Sequence, residues 1–188
     1  MGGVFDPKRP LSSPSVIAVT ATQSLRGKGL GPLIDSFDQV IRFNNHVAGG
    51  EHADDIGSKV TIWASSIATD TVNDPTPYCP DNCRKIWYRP REMKPPGWSQ
   101  IPLSIEQELM KLLGQPAGWP TTGLLSLYYL SRDFPVIHTA GWWKADRFAG
   151  YIWERGKDYY FDGPSHVAFR EIALYREWVS EGRIVEID

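Results

Sequence analysis

Five short runs rich in Val, Ile and aromatic residues set the limits on what this chain can become. "SVIAVTA" (15–21) is apolar on both of its faces, and "QVIRFNN" (39–45), "KVTIWAS" (59–65), "KIWYRP" (85–90) and "FPVIHTAG" (134–141) follow it. Runs of this length with β-branched residues read as strands. A strand that is apolar on both sides needs cover on both sides, which a parallel sheet between helices provides.

Helical patterns fall between and after these runs. "SIEQELMKLLG" (104–114) has Ser104 placed to cap, Gln107 to complete a capping box and Gly114 to stop the helix. Its apolar stripe is Ile105, Leu109, Leu112 and Leu113. "TTGLLSLYYLSRD" opens on Thr121 or Thr122, and a last helix over about 166–180 puts Ala168, Ile172, Tyr175 and Val179 on one face. The alternation predicts an α/β fold: a three-layer, Rossmann-like domain with a mostly parallel sheet over 15–188, after a flexible segment 1–14. Ligands in such folds bind at the carboxyl ends of strands, which here carry "TATQS", "FNN", "ASS" and "AGWW".

Several function classes are excluded. A net charge of −2 offers no field for nucleic acid. No apolar run reaches the length of a membrane span, and residues 1–15 lack a signal-peptide core. "MGG" begins like a myristoylation signal, but the sixth residue is Asp6. Cys79 and Cys83, in "YCPDNC", are expected to be two free thiols of a cytosolic protein, with a small disulfide as the alternative. Eight Trp and eight Tyr raise the expectation of a polyhydroxylated or nucleotide ligand, because aromatic faces stack on sugars and bases as well as filling cores.

Three stretches could carry chemistry. Gly27, Gly29 and Gly31 follow the first strand, where glycine lets backbone amides approach a phosphate; a tight turn that packs a helix explains them as well. Thr121, Thr122 and Gly123 open a helix, and such an end with hydroxyls can hold an anion or simply cap itself. His166 opens the last predicted helix, where the positive end of the dipole favours the neutral imidazole that a general base needs. Glu171, five residues on, is turned away from His166 in a straight helix and so anchors the helix rather than tuning the ring.

Taken in order, these stretches resemble the eukaryotic-type sialyltransferases, glycosyltransferase family 29. "LRGKGLGPLIDSFDQVIRFNN" with "DDIGSKVT" looks like their long motif and "PTTGLLSLYYL" like the start of their short motif. "DYYF" (158–161) stands in the place of the third motif, and His166 with Glu171 reproduces the H-x4-E very short motif. The matches run from about residue 16 to 171.

The resemblance implies a variant GT-A fold and an inverting, metal-independent transfer of sialic acid from a CMP donor to the hydroxyl of a glycan or glycolipid, without a cofactor. His166 would be the base. Thr22, Asn44, Thr121, Thr122, Gly123, Gly141, Tyr159 and Tyr160 would bind the donor. Of Trp142 and Trp143, directly after the fifth run, at least one is expected to stack on the donor or acceptor sugar; a core or lid role explains them as well. Two positions depart from the pattern: Ala21 stands in the first loop where the family has asparagine, and Asp158 where the third motif often has histidine. A carboxylate cannot replace a phosphate-stabilising imidazole, whereas Tyr159 or Tyr160 hydroxyls can donate. The lack of the animal enzymes' anchor points to a cytoplasmic, bacterial-type member, compatible with peripheral membrane contact; the Golgi lumen would apply only to a trimmed chain. Should the donor differ from sialic acid, Kdo, another 2-keto acid carried on CMP, is the obvious candidate. The alternative is a non-catalytic relative that binds a nucleotide or glycan.

Overall fold

The computed structural model describes residues 14–20, 22–44, 48–66, 79–88, 94–114, 120–142 and 168–187. Among these residues the strands are β1 (Val16–Val19), β2 (Gln39–Phe43), β3 (Ile62–Ser65), β4 (Arg84–Trp87), β5 (Ser99–Gln100), β6 (Ile137–Ala140) and β7 (Ile184–Ile187). The helices are α1 (Gly31–Asp35), α2 (Ala53–Ile56), α3 (Leu103–Leu112), α4 (Thr122–Leu130) and α5 (Ala168–Ser180). All seven strands join one sheet in the order β5-β4-β3-β2-β1-β6-β7, and every pairing is parallel.

Successive strand residues face opposite sides of a sheet, and β1 shows how this builds two cores. Val16 and Ala18 join Ile41, Ile62, Ala64 and Ile86 beneath Leu109 of α3, Leu124 and Leu127 of α4, and Tyr175 and Trp178 of α5. Ile17 and Val19 point the other way, to Ile34 of α1 and Ile56 of α2. Farther along that second face Trp63, Trp87 and Trp98 pack edge to face, with ring centroids 4.6 and 5.9 Å apart. Helices therefore cover both faces of a parallel sheet, the α/β arrangement expected from the apolar runs.

Local details differ from the sequence reading. β5 and β7 are additional strands, each short and at a sheet edge, where half-exposed residues blur any apolar run. The N-cap of α3 is Pro102, with no side-chain cap bond, so Ser104 lies inside the helix. Leu112 is 57% exposed and falls off the buried stripe, which runs through Leu109 and Leu113. The α3 carboxyl end is closed from outside: Arg170 Nη1 donates to the carbonyls of Leu113 (2.8 Å) and Gly114 (2.6 Å), placing a cation where the helix dipole favours one. The inner face of α5 is centred on Glu171, Tyr175 and Trp178, while Ile172 and Val179 are half-buried. Cys79 and Cys83 are joined in a disulfide rather than free. Their Cα atoms stand 6.1 Å apart, within the range a disulfide spans, and Cys83 packs on the tryptophan cluster.

Candidate active site

Because the strands are all parallel, their carboxyl ends lie along one edge of the sheet. The chain order reverses direction across the sheet between β1 and β6, and at such a switch point the diverging loops leave a crevice for a ligand. The expected donor-site residues within the described segments lie at or beside this edge.

Asn44 follows β2 with φ +48°, a left-handed conformation that asparagine tolerates better than most residues. Its amide donates to the Ala64 carbonyl (2.9 Å), and its own carbonyl accepts from the Trp63 indole (2.8 Å). The backbone turn is thus held from two sides, and the side chain is aimed along the edge. Oδ1 accepts from the Ser66 amide (3.0 Å) and the Ser66 hydroxyl (3.3 Å). An amide can only donate, so the atom facing Ser66 must be the carboxamide oxygen. The Ser66 hydroxyl accepts in turn from Thr122 Oγ1 at 2.8 Å. A directed chain of hydrogen bonds, Thr122 to Ser66 to Asn44, joins the ends of β2 and β3 to the first turn of α4.

Thr121 is the N-cap of α4 in an extended conformation (φ −60°, ψ 148°), and its Oγ1 accepts from the Leu124 amide at 3.3 Å. Glu171 of α5 grips the same residue. Oε1 accepts from the Thr121 amide (3.0 Å) and Oε2 from the Thr121 hydroxyl (2.6 Å). Glu171 is fully buried, so this carboxylate sets how α5 meets α4. The amides of Thr122 and Gly123 lie at the start of α4, outside the intrahelical ladder, and give that end its anion-binding capacity.

The β1–β6 side of the edge is closed by hydroxyls. Thr20 Oγ1 and Thr22 Oγ1 both donate to the Gly141 carbonyl, at 2.5 and 2.9 Å, and Thr22 Oγ1 shares a proton with Ser24 Oγ at 2.7 Å. Gly141 has φ +75°, and a Cβ there would lie 2.5 Å from the Thr20 carbonyl oxygen, so only glycine fits. Trp142, next in sequence, is a core residue. It is 6% exposed, its indole donates to the Ala18 carbonyl (3.2 Å), and its ring stacks on Tyr175 at 5.5 Å and meets Phe43 edge-on at 5.6 Å. Trp142 is therefore packed within the core, and the expectation that at least one of Trp142 and Trp143 stacks on a sugar falls to Trp143, which lies outside the described residues. Gly123 lies against that indole, where a Cβ would stand 2.9 Å from the ring.

The family model described as glycosyltransferase family 29 (sialyltransferase) matches residues 12–77. Those residues contain β1, β2, β3, Asn44 and Ser66. Over these residues the chain is similar to the family 29 sialyltransferases. Two solved structures agree in fold. One is of a mammalian sialyltransferase, with a TM-score of 0.68 and 17% identity over 96% of this chain and 71% of the other. The second is of a mammalian sialyltransferase in complex with Gal-beta-1-3GalNAc-ortho-nitrophenol, with a TM-score of 0.65 and 17% identity over 94% and 70%. No curated protein sequence is significantly similar to the chain.

The glycine loop is occupied by the protein itself. The amides of Gly27 and Gly29 already hold an anion: they donate to Asp55 Oδ2 (2.8 Å) and Oδ1 (3.0 Å). Those amides keep the Asp55 carboxyl below its ordinary range. Gly31 meets the α2 backbone, where a Cβ would fall 1.9 Å from the Ala53 carbonyl oxygen. The loop is thus the packing turn of the simpler reading. His166, Tyr159, Tyr160 and Trp143 lie outside the described residues, as do Ala21 and Asp158. Among the described residues no group of His, Cys, Asp or Glu side chains could hold a metal, and no helix is long and apolar enough to cross a membrane. Ser66 is the site residue that sequence reasoning passed over. Its only signal was its place in "ASS" at a strand end.

Proposed function

We propose that the chain transfers sialic acid, or a related 2-keto sugar acid such as Kdo, from a CMP-activated donor to a hydroxyl of a glycan or glycolipid, with inversion and without a metal ion. The observation that carries this is the bonded chain Asn44–Ser66–Thr122 at the head of α4. It supplies a carboxamide and a set of helix-start amides at one strand edge, a combination suited to a nucleotide and its phosphate. The likeness to sialyltransferases supports the class of donor, and the variant GT-A fold goes with that kinship. In this reading His166 takes the proton of the acceptor hydroxyl as its oxygen bonds to the anomeric carbon. The carbon–oxygen bond to CMP breaks, and its electron pair leaves with the phosphate. Helix-start amides, with Tyr159 or Tyr160, stabilise that charge.

A thermal-shift screen against CMP, CDP, UDP and GDP tests the donor class. Ligand at 100 times Kd stabilises a protein by about 2.7 kcal/mol, so CMP alone should give a clear rise in Tm. A shift with UDP or GDP, or transfer abolished by EDTA and restored by manganese, would overturn the reading. The alternative, a non-catalytic nucleotide- or glycan-binding relative, draws on the Thr20 and Thr22 hydroxyls being taken up by the Gly141 carbonyl. CMP binding without hydrolysis of any CMP-linked sugar would decide for it. A cytoplasmic, membrane-peripheral setting belongs to the transferase reading. The Cys79–Cys83 disulfide weighs toward an oxidising compartment instead, and titration of thiols in freshly isolated protein distinguishes the two.

A further inference from the structure

We propose that Ser66 is a positioning residue that sets which end of the Asn44 carboxamide meets the ligand; this rests on the nucleotide-binding reading above. The argument is one of donor and acceptor count. A carboxamide can rotate to present either its oxygen or its amino group. At Asn44 the Ser66 amide and hydroxyl both donate to Oδ1, at 3.0 and 3.3 Å; the rotated form would set the amide N–H against the amino group, and the hydroxyl would have to turn its proton away to accept instead. Nδ2 is left as the presented group, a donor that accepts nothing, so the ligand atom opposite it must be an acceptor.

The hydroxyl of Ser66 does more than add a second bond. It is oriented by Thr122 Oγ1, which donates to it at 2.8 Å and so leaves the Ser66 proton free to point at Asn44. Thr122 is itself 7% exposed and held in the first turn of α4. The orientation of Asn44 is therefore tied to the position of α4, and through Thr121 and Glu171 to α5. Linked hydrogen bonds of this kind reinforce one another, so the middle member matters out of proportion to its size.

The test uses Ser66→Ala, Ser66→Thr, Asn44→Ala and the double variant Ser66→Ala/Asn44→Ala, with CMP as the ligand. Ser66→Ala keeps the backbone bond but loses both hydroxyl bonds, and should weaken CMP binding by about 3- to 10-fold. Ser66→Thr restores the hydroxyl and should restore affinity. The double variant should bind no worse than Asn44→Ala alone, because residues in one chain are not additive. An unchanged affinity in Ser66→Ala, or additive losses in the double variant, overturns the proposal. A second readout stands apart from the nucleotide: the side-chain amino resonances of Asn44 should shift or broaden in Ser66→Ala relative to the wild-type protein. Should wild-type protein bind no CMP, the nucleotide reading falls. The hold of Ser66 on Asn44 is then kept by a shifted Asn44 pair and sunk by an unchanged one.

Discussion

Glu171 and Thr121 are 50 residues apart in sequence and doubly bonded in space, the carboxylate taking both the backbone amide and the hydroxyl of the helix cap. A carboxylate also suits the position electrostatically. It stands in the first turn of α5 and against the first turn of α4, and both helix starts favour negative charge. This places the acid of the H-x4-E segment on the turn that begins the candidate nucleotide site.

Glu171→Gln should therefore cost stability. The amide side chain has one acceptor oxygen for two donors, and its amino group would face a donor in a buried place. Leaving a buried group unsatisfied costs about 1–3 kcal/mol. Urea unfolding should show a lower midpoint with an unchanged slope; an unchanged midpoint would detach Glu171 from this role.

Gly123→Ala tests the packing beneath the site. The added methyl would lie 2.9 Å from the Trp142 ring, which is fixed by its bond to the Ala18 carbonyl and by stacking on Tyr175. Overpacking of this kind costs about 1–3 kcal/mol. We expect a lower Tm, an altered tryptophan emission spectrum and weaker CMP binding. Wild-type values for all three would mean that the indole has room to yield.

Asp55→Asn separates a packing turn from a phosphate cradle. The amide side chain can accept from Gly27 or Gly29 but not from both through two oxygens. Hydrogen exchange at those two amides should speed up, while CMP affinity stays unchanged. A marked change in CMP affinity would show that the loop belongs to the nucleotide site after all.

His138 predicts a pH dependence. Burial beside Phe37 lowers its pKa below the ordinary value, with the Val16 backbone opposing the shift. Between the folded value and about 6.5 the unfolded chain binds more protons than the folded one, so stability rises with pH there. Its share is complete above about pH 6.5 and is lost as pH falls through the folded value. Denaturation at pH 5, 6 and 7.5 should show the decline, and His138→Leu should flatten it. A slope that survives in His138→Leu would assign the titration to another group.

His166→Ala addresses the chemistry. General base catalysis contributes about 10²- to 10⁴-fold, so turnover should fall by that order with CMP affinity nearly unchanged. Full activity in this variant would remove His166 from the mechanism.

Much of this architecture was legible in local pattern. "SVIAV" and "KVTIWAS" are apolar on both faces because β1 and β3 are central strands covered on both sides, and that alone implies a parallel sheet with helices above and below. Chain order then places "FNN", "ASS" and "PTTG" at one edge, whereas the choice of Asn44 within it came from the family resemblance and not from spacing. The edge strands β5 and β7 were not legible, because a strand covered on one side carries a weaker apolar signal.

What the sequence by itself determined is the class of fold and the edge at which polar residues gather, since both follow from spacing along the chain. The tertiary structure alone decided how those residues are used. Asp55 reaches the glycine amides across 26 residues, Ser66 meets Asn44 across 22 and Thr122 across 56, and Trp142 turns into the core rather than toward a ligand. Arg42 shows the same limit. Its polar character suggests a surface, yet it is fully buried on β2, donating to the carbonyls of Ile56 (2.5 Å) and Lys59 (3.3 Å), and burial lowers its pKa to about 10. Such partnerships depend on which loops meet after the sheet has formed. Local residue pattern fixes the strand; only the closed fold fixes which donor finds which acceptor.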